Sequence, residues 1–298
     1  MLKRYARLLA WGCLPVLAWM GNARLFCQNH LDQKPEIVSL LGRKLYARPA
    51  TGERLAKLEE ELKQAALALE SNPNDAERII LYGRRLAYLW RYNEAIDVYL
   101  QGITSFPDNA MLYRHRGHRY ISIRRFEQAV TDLTRASALN PDDFDIWYHL
   151  GLAHYLRGEF ESALRAYRAC RRTAQDDDSI VAVSHWLYMT LRRLQRETEA
   201  QKILEEINAG MNVEENQSYH ELLLFYKGAR SSREILTLIE ASDLDLATLG
   251  YGVGNWYLYN GDREKAEAMF KRIVEVAYWP AFGFIAAEVE LYRMQQGT

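Results

Sequence analysis

The sequence predicts an all-α fold, a solenoid of stacked antiparallel helix pairs. Three observations carry that prediction. Residues of one kind recur at a fixed step: Gly83, Gly117 and Gly151 are 34 apart (117−83 and 151−117). Apolar residues inside each period keep a helical spacing, as in Ile79, Tyr82 and Leu86. Helix breakers are scarce, with 17 Gly and 7 Pro in 298 residues. Apolar residues make up 49% of the chain, enough for a sizeable core.

The first 23 residues read as a secretory signal peptide. Lys3, Arg4 and Arg7 precede the apolar run "LLAWGCLPVLAWM", and Gly21 and Ala23 supply small residues for cleavage. The alternative is an uncleaved membrane anchor, although the run is shorter than the ~20 residues that span a bilayer. Trp11 and Phe26 fit poorly before Cys13 and Cys27 as lipidation signals. The chain is therefore expected to be exported, to a bacterial periplasm or outside the cell. Residues 24–52 show no period and read as a leader partly ordered against the first helices. A Cys27–Cys170 disulfide is compatible with such a compartment and unsupported by the sequence.

From residue 53 the repeat domain runs to 298. Residues 53–73 have Leu55, Leu58, Leu62, Ala65 and Leu69 at helical spacing, like the second helix of a unit without its first. Units 76–109, 110–143 and 144–177 are the clearest. Ala95, Ala129 and Ala163 keep the 34-residue step, as do Tyr99, Leu133 and Tyr167, and Gly102, Ala136 and Cys170. The Gly removes a side chain so that the second helix approaches closely, and the aromatic four residues after the Ala fills the space between. Pro107 and Pro141 end the second helices. No unit buries its apolar face alone, so neighbours must stack.

Residues 178–246 are degenerate: Ala200 and Leu204 remain, but Tyr188 replaces the Gly. Residues 247–278 restore the pattern through Gly254, Ala266 and Phe270. Residues 279–295 read as a single capping helix whose outer face meets water.

These residues resemble the tetratricopeptide repeat family, most strongly over 76–175. The resemblance implies a right-handed superhelix whose first helices line a concave groove. It also implies that the groove carries Arg84, then Arg114 and His118, then Tyr148 and Tyr155, and finally Tyr251 and Asn255. Arginine forks and tyrosines suit an extended protein or peptide segment. Members that bind chaperone tails carry a Lys/Asn clamp. Here Ile80, Arg84 and His115 stand in its place, so that specialisation is not expected.

Little else points to chemistry. A net charge of −1 and a pI of about 6.7 argue against a bulk nucleic-acid binder. The basic run "YRHRGHRYISIRR", with Arg114, Arg116, Arg119, Arg124 and Arg125, points around a whole helix and reads as solvated or paired between units. His115 and His149 hold the same position in adjacent units, yet no complete ligand set is visible, and His154 reads as core. No Walker, Rossmann or nucleophile-elbow motif is present. "GYGVGN" follows no strand, and its Gly254 has a structural use. No cofactor, metal or catalytic residue is expected. The sequence thus predicts a non-enzymatic scaffold or adaptor for a protein or peptide partner. The alternatives are an exported small-ligand or glycan binder with a pocket between the units at 180–245, and a metalloprotein built on the histidine pairs.

Overall fold

The structure is a computed structural model that describes residues 34–47 and 50–297. The chain divides between Pro35 and Glu36, and the second unit, Glu36–Thr298, is described here. The signal segment 1–23, Cys13 and Cys27 lie outside the described residues. Cys170 is a buried free thiol, and its Sγ donates to the Phe144 carbonyl at 3.5 Å. Burial pushes its thiol well above the usual range.

Two short strands come first, β1 (Ile37–Val38) and β2 (Lys44–Leu45), paired antiparallel with Ile37 opposite Leu45. Helix α1 (Gly52–Ser71) follows. Six helix pairs then run in order: α2 (Ala76–Tyr88) with α3 (Tyr92–Ser105), α4 (Ala110–Ser122) with α5 (Phe126–Leu139), and α6 (Phe144–Arg157) with α7 (Phe160–Thr173). The second three are α8 (Asp177–Arg193) with α9 (Glu197–Glu205), α10 (Gln217–Tyr226) with α11 (Ser232–Ile239), and α12 (Asp243–Tyr259) with α13 (Arg263–Ile273). A last helix, α14 (Phe282–Gln296), ends the described chain.

Local chemistry sets these boundaries. Asp75, Asn109 and Asp143 are again 34 apart (109−75 and 143−109). Each accepts backbone N–H bonds at the start of α2, α4 or α6. The turn inside each pair is a left-handed residue: Trp90, Arg124, Gly158, Gln195, Gly228 and Gly261. The N–H after each such residue bonds back to a carbonyl five positions earlier, as from Arg91 to Leu86 and from Glu159 to His154.

The periodic glycines mark the contact inside a pair. A Cβ on Gly151 would lie 2.5 Å from Tyr167 Cε1, and one on Gly83 would lie 2.4 Å from Tyr99 Cε1. The aromatic ring of the second helix therefore rests on bare backbone of the first. Where Tyr188 replaces the glycine, its ring instead stacks on Tyr226 of α10, with centroids 4.6 Å apart.

Helix α14 differs from a cap with one face in water. Nine consecutive residues, Gly283 to Leu291, are buried. Gly283 meets α12 so closely that a Cβ would sit 1.9 Å from the Ala247 carbonyl oxygen. Its two buried carboxylates reach back along the array. Glu288 pairs with Arg124 at 2.8 Å, and Glu290 with Arg193 at 2.7 Å. Arg293 donates to the Leu156 carbonyl. The helix thus lies against the turns of the early pairs as well as against α12 and α13. The leader is tied in the same way. Leu40 N–H donates to Glu288 at 2.6 Å, Trp279 Nε1–H donates to the Tyr46 carbonyl at 2.8 Å, and Arg43 donates to the Val274 carbonyl. Glu36 accepts from the Asn93 backbone and side chain. Residues 36–46 of the leader are therefore held against the end of the array and not only against its first helices.

Candidate functional site

The first helices of successive pairs touch one another, α2 with α4, α4 with α6, and α6 with α8. They form a continuous inner side. Aromatic rings and α14 fill much of that side. It stays open as a cleft of about 770 Å³ between α1, the ends of α2 and α4, the start of α12 and the segment 278–282.

Basic groups dominate this cleft. Arg54 and Lys57 come from α1, Arg85 from α2 and Arg119 from α4, against one carboxylate, Glu61. Glu61 is already paired with Arg85 at 2.9 Å. The part-buried Arg119 guanidinium lies over the Tyr92 ring at 5.2 Å. Burial pushes it below its ordinary pKa. His118 stands beside it, its ring 4.2 Å from His149 and 5.3 Å from Phe282. Burial holds both imidazoles well below the usual histidine range, so they are neutral donors and acceptors at pH 7.

The residues expected in the groove fall into three settings. Arg84 is exposed on α2 and donates to the Tyr88 hydroxyl at 3.2 Å. Arg114 is engaged with Asp145 of the next pair at 2.5 Å and with His115 Nδ1 at 3.0 Å. His118 is in the cleft wall. Tyr148 is buried, packed edge-on against Tyr167 and tilted on Phe282.

Tyr155, Tyr251 and Asn255 do not line an open groove. They form one buried hydrogen-bonded trio, in which Tyr251 Oη–H donates to Tyr155 Oη at 3.0 Å and Asn255 Nδ2–H donates to it at 2.9 Å. All three side chains are buried. The inner side here is closed by packing between α6 and α12, so these groups hold the array together.

Arg119, Arg54, Lys57 and Tyr278 were not singled out by sequence reasoning as site residues. Arg119 sat in the basic run read as solvated or paired. Its neighbours are paired, but only Arg114 with Asp145 joins adjacent units: Arg116 forms a two-pronged pair with Asp132 of its own unit at 2.7 and 2.8 Å, and Arg124 pairs with Glu288 of the last helix. A second cleft, of about 810 Å³, lies between 209–221 and 230–249, where a small-ligand pocket was the alternative. Its Arg230 is paired with Glu221 at 2.7 Å. Among the described residues no group of three or more His, Cys, Asp or Glu could hold a metal ion.

Part of this chain is similar in sequence to known repeat proteins. Residues 114–178 match a family described as "Tetratricopeptide repeat". The Small glutamine-rich tetratricopeptide repeat-containing protein 2 of Saccharomyces cerevisiae is 26% identical over 142 residues, covering 48% of this chain and 41% of that protein. Hsc70-interacting protein 1 of Drosophila melanogaster is 28% identical over 127 residues, 42% of this chain and 29% of that protein. The chain therefore spans less than half the length of these curated relatives. Among solved structures, YrrB, described as a TPR protein with an unusual peptide-binding site, aligns over 78% of this chain and 98% of its own. The identity is 16% and the TM-score 0.46.

Proposed function

We propose that this chain, a member of the tetratricopeptide repeat family, is a non-enzymatic scaffold that holds a segment of a partner protein in the cleft between α1, α2, α4 and residues 278–282. One observation carries the reading: the inner side of the array, filled elsewhere by aromatic rings and α14, opens there as a basic cleft with apolar walls. Solenoid surfaces of this kind hold extended segments without a deep pocket. Of the groove residues inferred from sequence, His118 would touch the segment and Arg84 would border it. Arg114 and Tyr148 would support that wall, while Tyr155, Tyr251 and Asn255 would keep the array rigid. The name of one relative, Hsc70-interacting protein 1, fits a protein partner.

The test is site-specific photo-crosslinking in the native host. A photoreactive residue at Lys57, in the cleft, is compared with one at the exposed Arg135 on α5. A partner trapped only from position 57, then shown in purified form to lose binding when Thr248→Trp fills the cleft, supports the reading. Equal trapping from both positions, or binding that survives Thr248→Trp, overturns it.

Export through a signal at 1–23 is part of the same proposal, with retention as an uncleaved anchor as its alternative. Among the described residues no helix is long and apolar enough to cross a membrane. N-terminal sequencing of the protein recovered from its host decides between them: a chain starting at Arg24 supports cleavage, and one starting at Met1 refutes it.

A further inference from the structure

We propose that the Arg119 guanidinium is the anchor for a side-chain carboxylate of an acidic peptide segment lying in this cleft; the inference rests on the cleft reading above and names the chemistry of its partner.

Four other shielded arginines each face a carboxylate. Arg114 has Asp145, Arg116 has Asp132, Arg124 has Glu288 and Arg193 has Glu290. Arg119 has none of these. Among the described residues its guanidinium forms no ion pair or hydrogen bond, and its contact is the face of Tyr92. A guanidinium withdrawn from water without a carboxylate costs stability, whereas a ligand carboxylate would offset that cost through two parallel N–H···O bonds.

The repeat shows how the vacancy arises. Arg119 is the 34-residue counterpart of Arg85, and Pro107 is likewise the counterpart of Pro73. Arg85 has Glu61 at 2.9 Å. The residue 34 beyond Glu61 is Ala95, which is buried. The base recurs in the second unit and the acid does not.

The surroundings favour an acidic peptide over a lone anion. Arg54 and Lys57 extend the positive potential along the α1 side, and the one acid in the lining is already paired. Leu58, Tyr88, Leu244 and Phe282 give apolar wall on which residues flanking the carboxylate can pack. A space of about 770 Å³ exceeds what one carboxylate or phosphate fills.

The experiment measures binding of degenerate heptapeptide pools to the full chain. One pool has a fixed central Glu and an amidated end. A second has central Gln and an amidated end. A third has central Gln and a free C-terminal carboxylate. Inorganic phosphate is a fourth probe. The Glu pool should bind at least about tenfold more tightly than the amidated Gln pool, the scale of one charge-assisted hydrogen bond. Arg119→Gln should erase that difference, while Arg135→Gln, at an exposed pair with Asp108, should leave it intact. Arg119→Met should also erase it without lowering the Tm, which separates a binding role from a structural one.

Equal binding of the Glu and amidated Gln pools, or a preference that survives Arg119→Gln, overturns the carboxylate anchor and leaves the peptide-binding reading standing. A free-end pool that matches the Glu pool overturns the side-chain assignment in favour of a chain end. Phosphate binding lost in Arg119→Gln, with no pool bound, overturns the peptide reading itself.

Discussion

The Arg124 guanidinium and the Glu288 carboxylate, 164 residues apart in sequence, meet at 2.8 Å with both side chains almost wholly withdrawn from water. Arg124 also donates to the Ser122 and Trp279 carbonyls, and Glu288 also accepts the Leu40 N–H. Removing one partner leaves a buried charge alone. Glu288→Ala should therefore lose about 3–5 kcal/mol in chemical denaturation. The double variant Arg124→Met/Glu288→Met should recover much of that loss, because replacing both charges restores apolar packing. A double variant no more stable than Glu288→Ala would contradict this account.

The contact of Gly151 with Tyr167 is tested by a mutant cycle. Gly151→Ala places a methyl 2.5 Å from the ring and should cost about 1–3 kcal/mol through overpacking. In a Tyr167→Ala background the same substitution should cost far less, since nothing then opposes the methyl. Additive losses in urea unfolding would mean the two residues are uncoupled.

The buried trio gives a test that separates core from binding surface. Tyr155→Phe removes the hydroxyl shared by Tyr251 and Asn255. It should destabilise the chain by about 1–3 kcal/mol, the cost of leaving buried polar groups without partners. Affinity for a cleft ligand should be unchanged. Weakened binding at unchanged stability would return Tyr155 to the recognition surface.

Stability should fall as pH drops below about 6.5. His115, His149 and His185 are buried. Burial pushes His115 down to about 2 and His185 to about 3, and holds His149 well below 6.5. The unfolded chain binds protons near the ordinary value of 6.5 and the folded chain does not. The stability these residues lend is thus present above 6.5 and lost toward the folded values. Each contributes up to about 1.4 kcal/mol per pH unit. Burial raises the Glu36 and Asp132 carboxyls above their ordinary values, so they work the other way as pH falls, and Tm from pH 7 to pH 5 is therefore compared between the parent chain and a variant lacking one imidazole. His185→Phe, which keeps the stack on Tyr219 at 4.4 Å, should flatten the slope. A His185→Phe slope equal to that of the parent chain would show that the His185 imidazole titrates within the fold.

The helix pairs were legible because their signals are local. A glycine that receives an aromatic ring and an alanine at a close crossing each depend on neighbours within one period. The place of α14 was not legible in that way. "FGFIAAEVELY" is apolar nearly all round, and such a helix is buried, but a terminal helix of a repeat array is expected to leave its outer face in water; here Glu288 and Glu290 are buried instead. Their partners, Arg124 and Arg193, lie 164 and 97 residues away. The same distance hid the cleft. Arg119 looked like its paired neighbours until the array placed its acid-less side toward residues 278–282. The hydrogen bond between Tyr155 and Tyr251 depends on how far α6 and α12 curl together, which no spacing within a repeat reveals.

The ties of α14 also set an order of assembly. An array with contacts only between neighbours can form pair by pair as it is synthesised. Here Arg124, Leu156 and Leu40 are satisfied by a helix that follows all six pairs in sequence. The early pairs can gain their helices, but they wait for residues 282–296 before their inner charges are matched. The last step therefore closes a loop of more than a hundred residues, the kind of non-local contact that slows folding. Until it closes, the partly built array carries unmatched arginines along its inner side, where acidic segments elsewhere can reach them.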